Sequence, residues 1–170
     1  MNSLSLSGWI FTALMLPVSV ARAELPETIA VPDESLIATV HAQGAQVYEC
    51  KADAAGKLAW QFREPVATLL AGGQTFGRHY AGPNWELADG SAVAGKVAAR
   101  APAAGPKDIP LLKLDVVSHR GSGLLTGATT ILRINTKGGA AEGPCEASGA
   151  FLSVPYSADY AFYKKARLAN

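Results

Sequence analysis

The chain has 170 residues, with 15 Lys and Arg against 14 Asp and Glu, and 49% of its residues are hydrophobic. A chain this apolar, in which only 17% of residues are charged, is not expected to be disordered. The near-neutral balance argues against a nucleic-acid partner, because no basic stripe is present to contact phosphates.

Residues 1–23 are typical of a signal peptide. The apolar run 8–20 is shorter than the roughly 20 residues that cross a bilayer. It is followed by Ala21-Arg22-Ala23, which has small residues at the two positions that signal peptidase reads. We therefore expect cleavage before Glu24, a periplasmic or secreted mature chain, and no stable membrane insertion after cleavage. Because no Lys or Arg precedes the apolar run, an uncleaved N-terminal anchor is the alternative.

The rest of the chain predicts one β-rich domain. Residues 24–35 contain Pro26 and Pro32 and are expected to form an extended lead-in. Residues 36–170 form the domain, in which Gly44 is expected to mark a turn and Pro65 to end a strand or place it at an edge. The predicted strands are 36–42, 46–51, 58–64, 67–70, 75–81, 84–87, 93–99, 111–119, 129–136, 151–156 and 159–165.

Alternation of apolar and polar residues supports these strands. Leu58, Trp60 and Phe62 share one face of their segment. Near the end of the chain, Tyr160 and Phe162 share a face that is expected to pack into the core. No segment after residue 23 has helical periodicity, so the prediction is an all-β, antiparallel β-sandwich or barrel-like single domain.

Cys50 and Cys145 are the only cysteines. In an oxidising compartment a lone pair is usually a disulfide, which is the expectation here. Two free buried thiols are one alternative. A metal site is the other, although two thiols make an incomplete ligand set.

The segment 78–86 is the most unusual part of the chain, since it places aromatic, basic and acidic residues around Gly82-Pro83. Loops on a rigid sheet often carry binding residues. Tyr80 and Trp85 are candidates for an apolar or sugar-stacking surface, and His79 and Glu86 for polar contacts. The alternative is a loop anchored by Trp85 whose polar groups bond to nearby backbone.

A metal-dependent or hydrolytic enzyme is a second interpretation. His79, His119 and Glu86 could form a three-ligand site if the fold brought them together. None of the three histidines has a metal-binding spacing to another, and no nucleophile-elbow motif is present. The sequence therefore predicts no cofactor and no metal.

Six segments carry a resemblance to a known family. They are GAQVYECK (44–51), HYAGPNWE (79–86), DGS (89–91), SHRGSG (118–123), RINTKGG (133–139) and VPYSADY (154–160). The chain resembles the secreted bacterial and fungal proteins grouped as domain of unknown function 3455. The resemblance implies export, one compact domain and pairing of the two cysteines, but it implies no reaction.

The leading hypothesis from the sequence is an exported, non-catalytic β-domain that binds a small-molecule or carbohydrate-like ligand. Its site is expected at the Trp85 loop and the neighbouring His119 turn. An envelope protein-interaction domain is a third possibility beside the enzyme. The candidate ligand-binding residues are His79, Tyr80, Trp85, Glu86, His119 and Arg133.

Overall fold

Eight antiparallel strands close into a barrel, in which each strand pairs with its neighbours in the chain and the last pairs with the first. The structure is a computed structural model that describes residues 25–166. The predicted signal peptide lies outside the described residues. The strands are β1 (Glu34–Ala52), β2 (Leu58–Ala71), β3 (Gln74–Tyr80), β4 (Asn84–Leu87), β5 (Ala92–Ala101), β6 (Leu111–Arg120), β7 (Thr130–Gly138) and β8 (Phe151–Lys165).

The all-β, antiparallel fold class is confirmed, and β3 to β7 begin and end within two residues of the predicted segments. The turns between these strands explain the agreement. Gly72 and Gly73 both have positive φ, at 57° and 78°, and join β2 to β3 as such residues do in tight hairpins. The predicted extended lead-in contains a short 3-10 turn, Glu27–Ile29, whose Ile29 is buried.

The prediction of a turn at Gly44 is wrong, because β1 is one strand of 19 residues. Gly44 pairs with Ala67 of β2 on one side and with Tyr156 of β8 on the other. A Cβ on Gly44 would overlap the carbonyl oxygen of Val66 and would lie 2.5 Å from the Cα of Ala67. The glycine therefore allows a close approach of two strands, which is another common reason for a glycine within a strand.

Replacing Gly44 by alanine is expected to lower the free energy of unfolding by about 1–3 kcal/mol, because the backbone of β2 must move. Urea denaturation monitored by circular dichroism measures the change. Gly127→Ala is the matched control: a Cβ there has no neighbour within 4 Å, so a change within about 0.5 kcal/mol is expected. Equal stability of the two variants would contradict the close approach.

Two further strand boundaries differ from the prediction. Pro65 neither ends nor interrupts β2 and pairs with Gln46 of β1. The pairing of β2 with β3 starts only at Ala67, so at Pro65 the strand β2 has β1 as its single partner. This is a local edge, the second of the two predicted outcomes, and it tolerates a missing N–H. The two predicted segments 151–156 and 159–165 form the single strand β8, which pairs with β1 over most of its length.

The two ends of the barrel differ in packing. At one end, the packed end, the β6–β7 loop carries Leu125 and Ala128 into the core, and both are fully buried. At the other end, the cavity end, β1, β3, β5 and β7 terminate and β2, β4, β6 and β8 begin. The core residues towards the packed end are Val40, Leu69, Leu87, Val93, Leu125, Ile131 and Phe162.

The predicted disulfide between Cys50 and Cys145 is confirmed, with Cα atoms 5.8 Å apart. It attaches the β7–β8 loop to β1 at the cavity end. The same loop is held by main-chain hydrogen bonds from Cys145 N to Leu58 O and from Trp60 N to Gly143 O. The loop is thus part of the barrel wall rather than a free connection.

Within residues 25–166, no helix has the length and apolarity needed to span a membrane.

Candidate ligand-binding site

A cavity of about 530 Å³ occupies the barrel interior at the cavity end. Small-molecule sites in proteins commonly have volumes of about 300–1,000 Å³, and eight-stranded barrels are wide enough to hold one small ligand. Phe62, which is 55% exposed, and Val97, which is 36% exposed, belong to its lining. Exposed apolar side chains on the wall place the mouth of the cavity at this end of the barrel.

The alternation of side chains along each strand explains why the residues that line the cavity face inward. Leu112 and Leu114 lie two residues apart on β6, as the sequence predicts for one face, and both are buried on the cavity wall. Gln46 and Tyr48 of β1 and Tyr160 of β8 reach the interior in the same way. Ile109 and Pro110 line the cavity from the β5–β6 loop.

Stacked aromatic rings form the floor of the cavity. The ring of His79 stacks on Trp85 with centroids 4.4 Å apart and an interplanar angle of 13°. Trp85 in turn makes edge contacts with Tyr160 at 5.2 Å and with Phe162 at 6.4 Å. Phe162 is fully buried below them, so the floor separates the cavity from the packed end.

His79 is neutral at physiological pH. Burial lowers its pKa to about 3, and the nearby charge of Arg133 acts in the same direction. Its Nδ1 lies 2.8 Å from the carbonyl oxygen of Asn84 and donates a hydrogen bond to it. Since the neutral ring carries a single proton, Nε2 has a free lone pair and can only accept.

Polar atoms on the wall retain unused hydrogen-bonding capacity. Gln46 is 2% exposed and Trp85 is 1% exposed, and both line the cavity. Gln46 Nε2 and Trp85 Nε1 are buried without a hydrogen-bond partner. A buried donor without a partner costs about 1–3 kcal/mol, so such groups are uncommon away from sites with a particular role.

The structure divides the six predicted site residues into two groups and one single residue. His79, Trp85 and Arg133 line the cavity together. Tyr80 and Glu86 alternate with His79 and Trp85 along β3 and β4, so their side chains lie on the outer face. The expectation of a loop site is therefore corrected, because most of segment 78–86 is two paired strands.

On the outer face, Glu86 joins three strands. Its Oε1 accepts a hydrogen bond from Arg78 at 2.9 Å. Its Oε2 accepts one from the Tyr80 hydroxyl at 2.9 Å and one from Arg120 at 2.7 Å. The hydrogen bonds from Tyr80 and Arg78 hold the pKa of Glu86 below its ordinary value, so the carboxylate is already fully engaged.

His119 lies apart from both groups. Residue pairs across the strands β3 to β6 link His79 to Trp85, Trp85 to Val93, and Val93 to His119. The two histidines are therefore three strand spacings apart, which is about 14 Å. His119 donates from Nε2 to the carbonyl of Ala128 at 2.8 Å, within the packed end. His79, His119 and Glu86 therefore do not meet at one point. No three metal-ligating side chains form a group anywhere in residues 25–166.

Sequence reasoning missed most of the wall. Gln46, Tyr48, Leu112 and Tyr160 lie on predicted strands, and alternation alone could assign each to a face. The sequence could not show which strand faces line the same cavity, because this depends on the pairing of β1 with β8 that closes the barrel.

Comparison with known proteins identifies a family. A family model described as Protein of unknown function (DUF3455) matches residues 31–164, and because this is more than half of the chain, the chain belongs to that family. The resemblance noted in the sequence is thereby confirmed. No curated protein and no solved structure matches the chain. The site must therefore be interpreted from its own geometry.

Proposed function

We propose that this member of the family is an exported, non-catalytic domain that binds a small, largely apolar molecule inside its barrel. The observation that carries the proposal is the cavity of about 530 Å³, whose walls come from most strands of the barrel. Evenly packed interiors have few voids larger than a water molecule. A cavity of this size, lined by aromatic and aliphatic side chains, is characteristic of ligand sites.

The lining favours an apolar ligand over a carbohydrate. Leu112, Leu114, Ile109 and Val97 offer no hydrogen bonds, whereas a sugar needs a partner for nearly every hydroxyl that it buries. The polar side chains of the lining, such as Gln46 and Arg133, suit a ligand that also carries one or two polar groups. The proposed site therefore lies in the barrel interior, whereas the sequence suggested the Trp85 loop and the His119 turn.

Binding is favoured over catalysis by the chemistry of the wall. The cavity lining includes no Ser, Thr, Cys, Asp or Glu side chain among the described residues. His79 has its Nδ1 engaged by Asn84 and stays neutral, and no Ser, Thr or Cys neighbours it on the wall. A general base works best with a pKa near the operating pH, and the pKa of His79, about 3, lies far below neutrality.

Export is the second part of the proposal. The Cys50–Cys145 disulfide is of the kind that persists in oxidising compartments. Residues 1–23 have the pattern of a signal peptide. Cell fractionation with N-terminal sequencing tests this part, with Glu24 expected as the first residue of a periplasmic or secreted protein.

Filling the cavity should weaken binding. We expect the neutral, polarity-sensitive dye Nile red to bind the wild-type protein with increased fluorescence. Leu112→Trp places an indole in the cavity and should weaken this binding at least about tenfold, because the dye and the indole compete for one volume. Fluorescence titration measures the affinity, and circular dichroism checks the fold.

The matched control is Val117→Trp, which adds the same side chain on the same strand at a position that is 59% exposed. This control should bind Nile red like the wild type. If Leu112→Trp does not fold, Val97→Trp at the rim takes its place. Absence of Nile red binding to the wild type, or equal binding by the filled variant, would refute the site.

A further inference from the structure

The charged residues of the cavity wall are all cationic. Arg63, Arg100 and Arg133 line it, and no Asp or Glu of the described residues does. The chain as a whole is nearly neutral, so this bias is local. Arg63 already has carboxylate partners on the outside, Glu64 at 3.1 Å and Glu49 at 3.6 Å. The two other arginines make no such pairs within residues 25–166.

Arg133 is the deeper of these two arginines, half-buried on β7 beside the aromatic floor. Its Nε and Nη2 both donate to the carbonyl oxygen of Pro110, at 3.0 and 2.8 Å. A guanidinium has five N–H groups, and the contacts with Pro110 and with the Tyr160 hydroxyl leave two of them for another acceptor. Since Arg133 lines the cavity, these two N–H groups are available to an acceptor bound there.

The neighbours of Arg133 do not neutralise its charge. Burial raises the pKa of Tyr160 and of Tyr156, so both hydroxyls stay protonated. Burial lowers the pKa of Arg133; the hydrogen bond with Tyr160 opposes this shift only in part, and the charge of Arg100 adds to it. A partly buried cation without an anion is costly unless a partner supplies the opposite charge.

We infer that the bound molecule carries a carboxylate, and that Arg133 binds this group while the apolar wall holds the rest of the ligand. The inference rests on the proposed function and adds the chemical class of the ligand, an organic acid with an apolar body. Guanidinium and carboxylate match in shape, since two parallel N–H donors meet two oxygens. Arg100 at the rim adds a second positive charge along the entry path.

A pair of probes with the same chain tests the inference. Decanoate and decanol differ only in the head group, and calorimetry or displacement of Nile red gives both affinities at neutral pH. We expect the wild-type protein to bind decanoate about ten- to hundredfold more tightly than decanol, the ratio given by one hydrogen-bonded charge pair. Added salt should reduce this ratio.

Arg133→Met should abolish the preference for decanoate and leave the affinity for decanol unchanged. Arg133 also positions the β5–β6 loop through Pro110, and a purely structural role would weaken both probes equally. Arg133→Lys keeps the positive charge but lacks the two parallel N–H donors of the guanidinium, so it should retain part of the preference for decanoate over decanol. This variant decides the matter if the Met variant fails to fold. Arg78→Met, which removes the same charge from the outer face, is the control that should behave as wild type.

The outcomes separate the two proposals. If Nile red and decanol bind but decanoate binds no better, the carboxylate inference is wrong and the cavity site stands. A preference for decanoate that survives in Arg133→Met would also overturn the assignment of Arg133. If none of the three probes binds the wild type, the proposed function itself fails.

Discussion

Replacing Cys50 and Cys145 together by alanine is expected to lower the free energy of unfolding by about 4–5 kcal/mol. The disulfide links residues 95 apart in sequence, and closing so long a loop removes much of the conformational entropy of the unfolded chain. The free energy of unfolding of small domains is about 5–15 kcal/mol, so this loss is about a quarter of the total or more.

The native structure around the disulfide should survive this change. Cys50 is bonded through its own backbone to Ala150 and Gly149, and Cys145 to Leu58. Guanidinium denaturation of the double variant gives the loss, and wild type in reductant should show the same loss. The double variant is its own control, because reductant should not affect it. A loss below about 1 kcal/mol would contradict the loop-entropy argument.

Acid is expected to destabilise the protein through His79. Its pKa is about 3 in the folded protein and about 6.5 in the unfolded chain. As the pH falls below about 6.5, the unfolded chain takes up a proton that the folded protein does not. The stability from His79 is therefore complete above about pH 6.5 and is lost progressively towards pH 3.

The expected slope is about 1.4 kcal/mol per pH unit, so about 2 kcal/mol is lost between pH 7.5 and pH 5. Glu86 and Asp89 have lowered pKa values in the folded protein. Their contribution to its stability is lost only at lower pH, as the pH falls through and below the ordinary pKa range of carboxyl groups. The interval from pH 7.5 to 5 therefore lies above the range of these two carboxylates. Urea denaturation at several pH values measures the slope.

His79→Asn keeps a donor near the carbonyl of Asn84 but does not titrate. This variant should have a flatter profile between pH 7.5 and 5, even if it is less stable at every pH. His119→Gln removes another histidine and should keep the slope, since His79 remains. A profile of His79→Asn as steep as that of wild type would show that another group is responsible.

The sequence predicted the strands best where turn residues interrupt them. Gly72-Gly73 and Asp89-Gly90 are local signals, so the strands around them were placed closely. Gly44 was misread because a glycine that permits a close approach of strands and a glycine that makes a turn look alike in sequence. Only the proximity of Ala67 distinguishes them.

The structure brings together only some of the residues that the sequence grouped as a candidate site. His79, Trp85 and Arg133 were selected, and all three line one cavity, although they come from β3, β4 and β7. Tyr80 and Glu86 were grouped with them because neighbours in sequence were taken as neighbours in space. In a strand, adjacent side chains point to opposite faces, so this group was divided between the interior and the outer surface.

Nuclear magnetic resonance of the methyl groups, during titration with decanol and decanoate, tests the barrel site most directly. The prediction is that the signals of Leu112, Leu114 and Ile109 shift and show contacts to the ligand chain, while the exposed Val117 and the buried Leu125 of the packed end do not. Shifts confined to outer-surface methyls, or no shifts at saturating ligand, would contradict a ligand site inside the barrel.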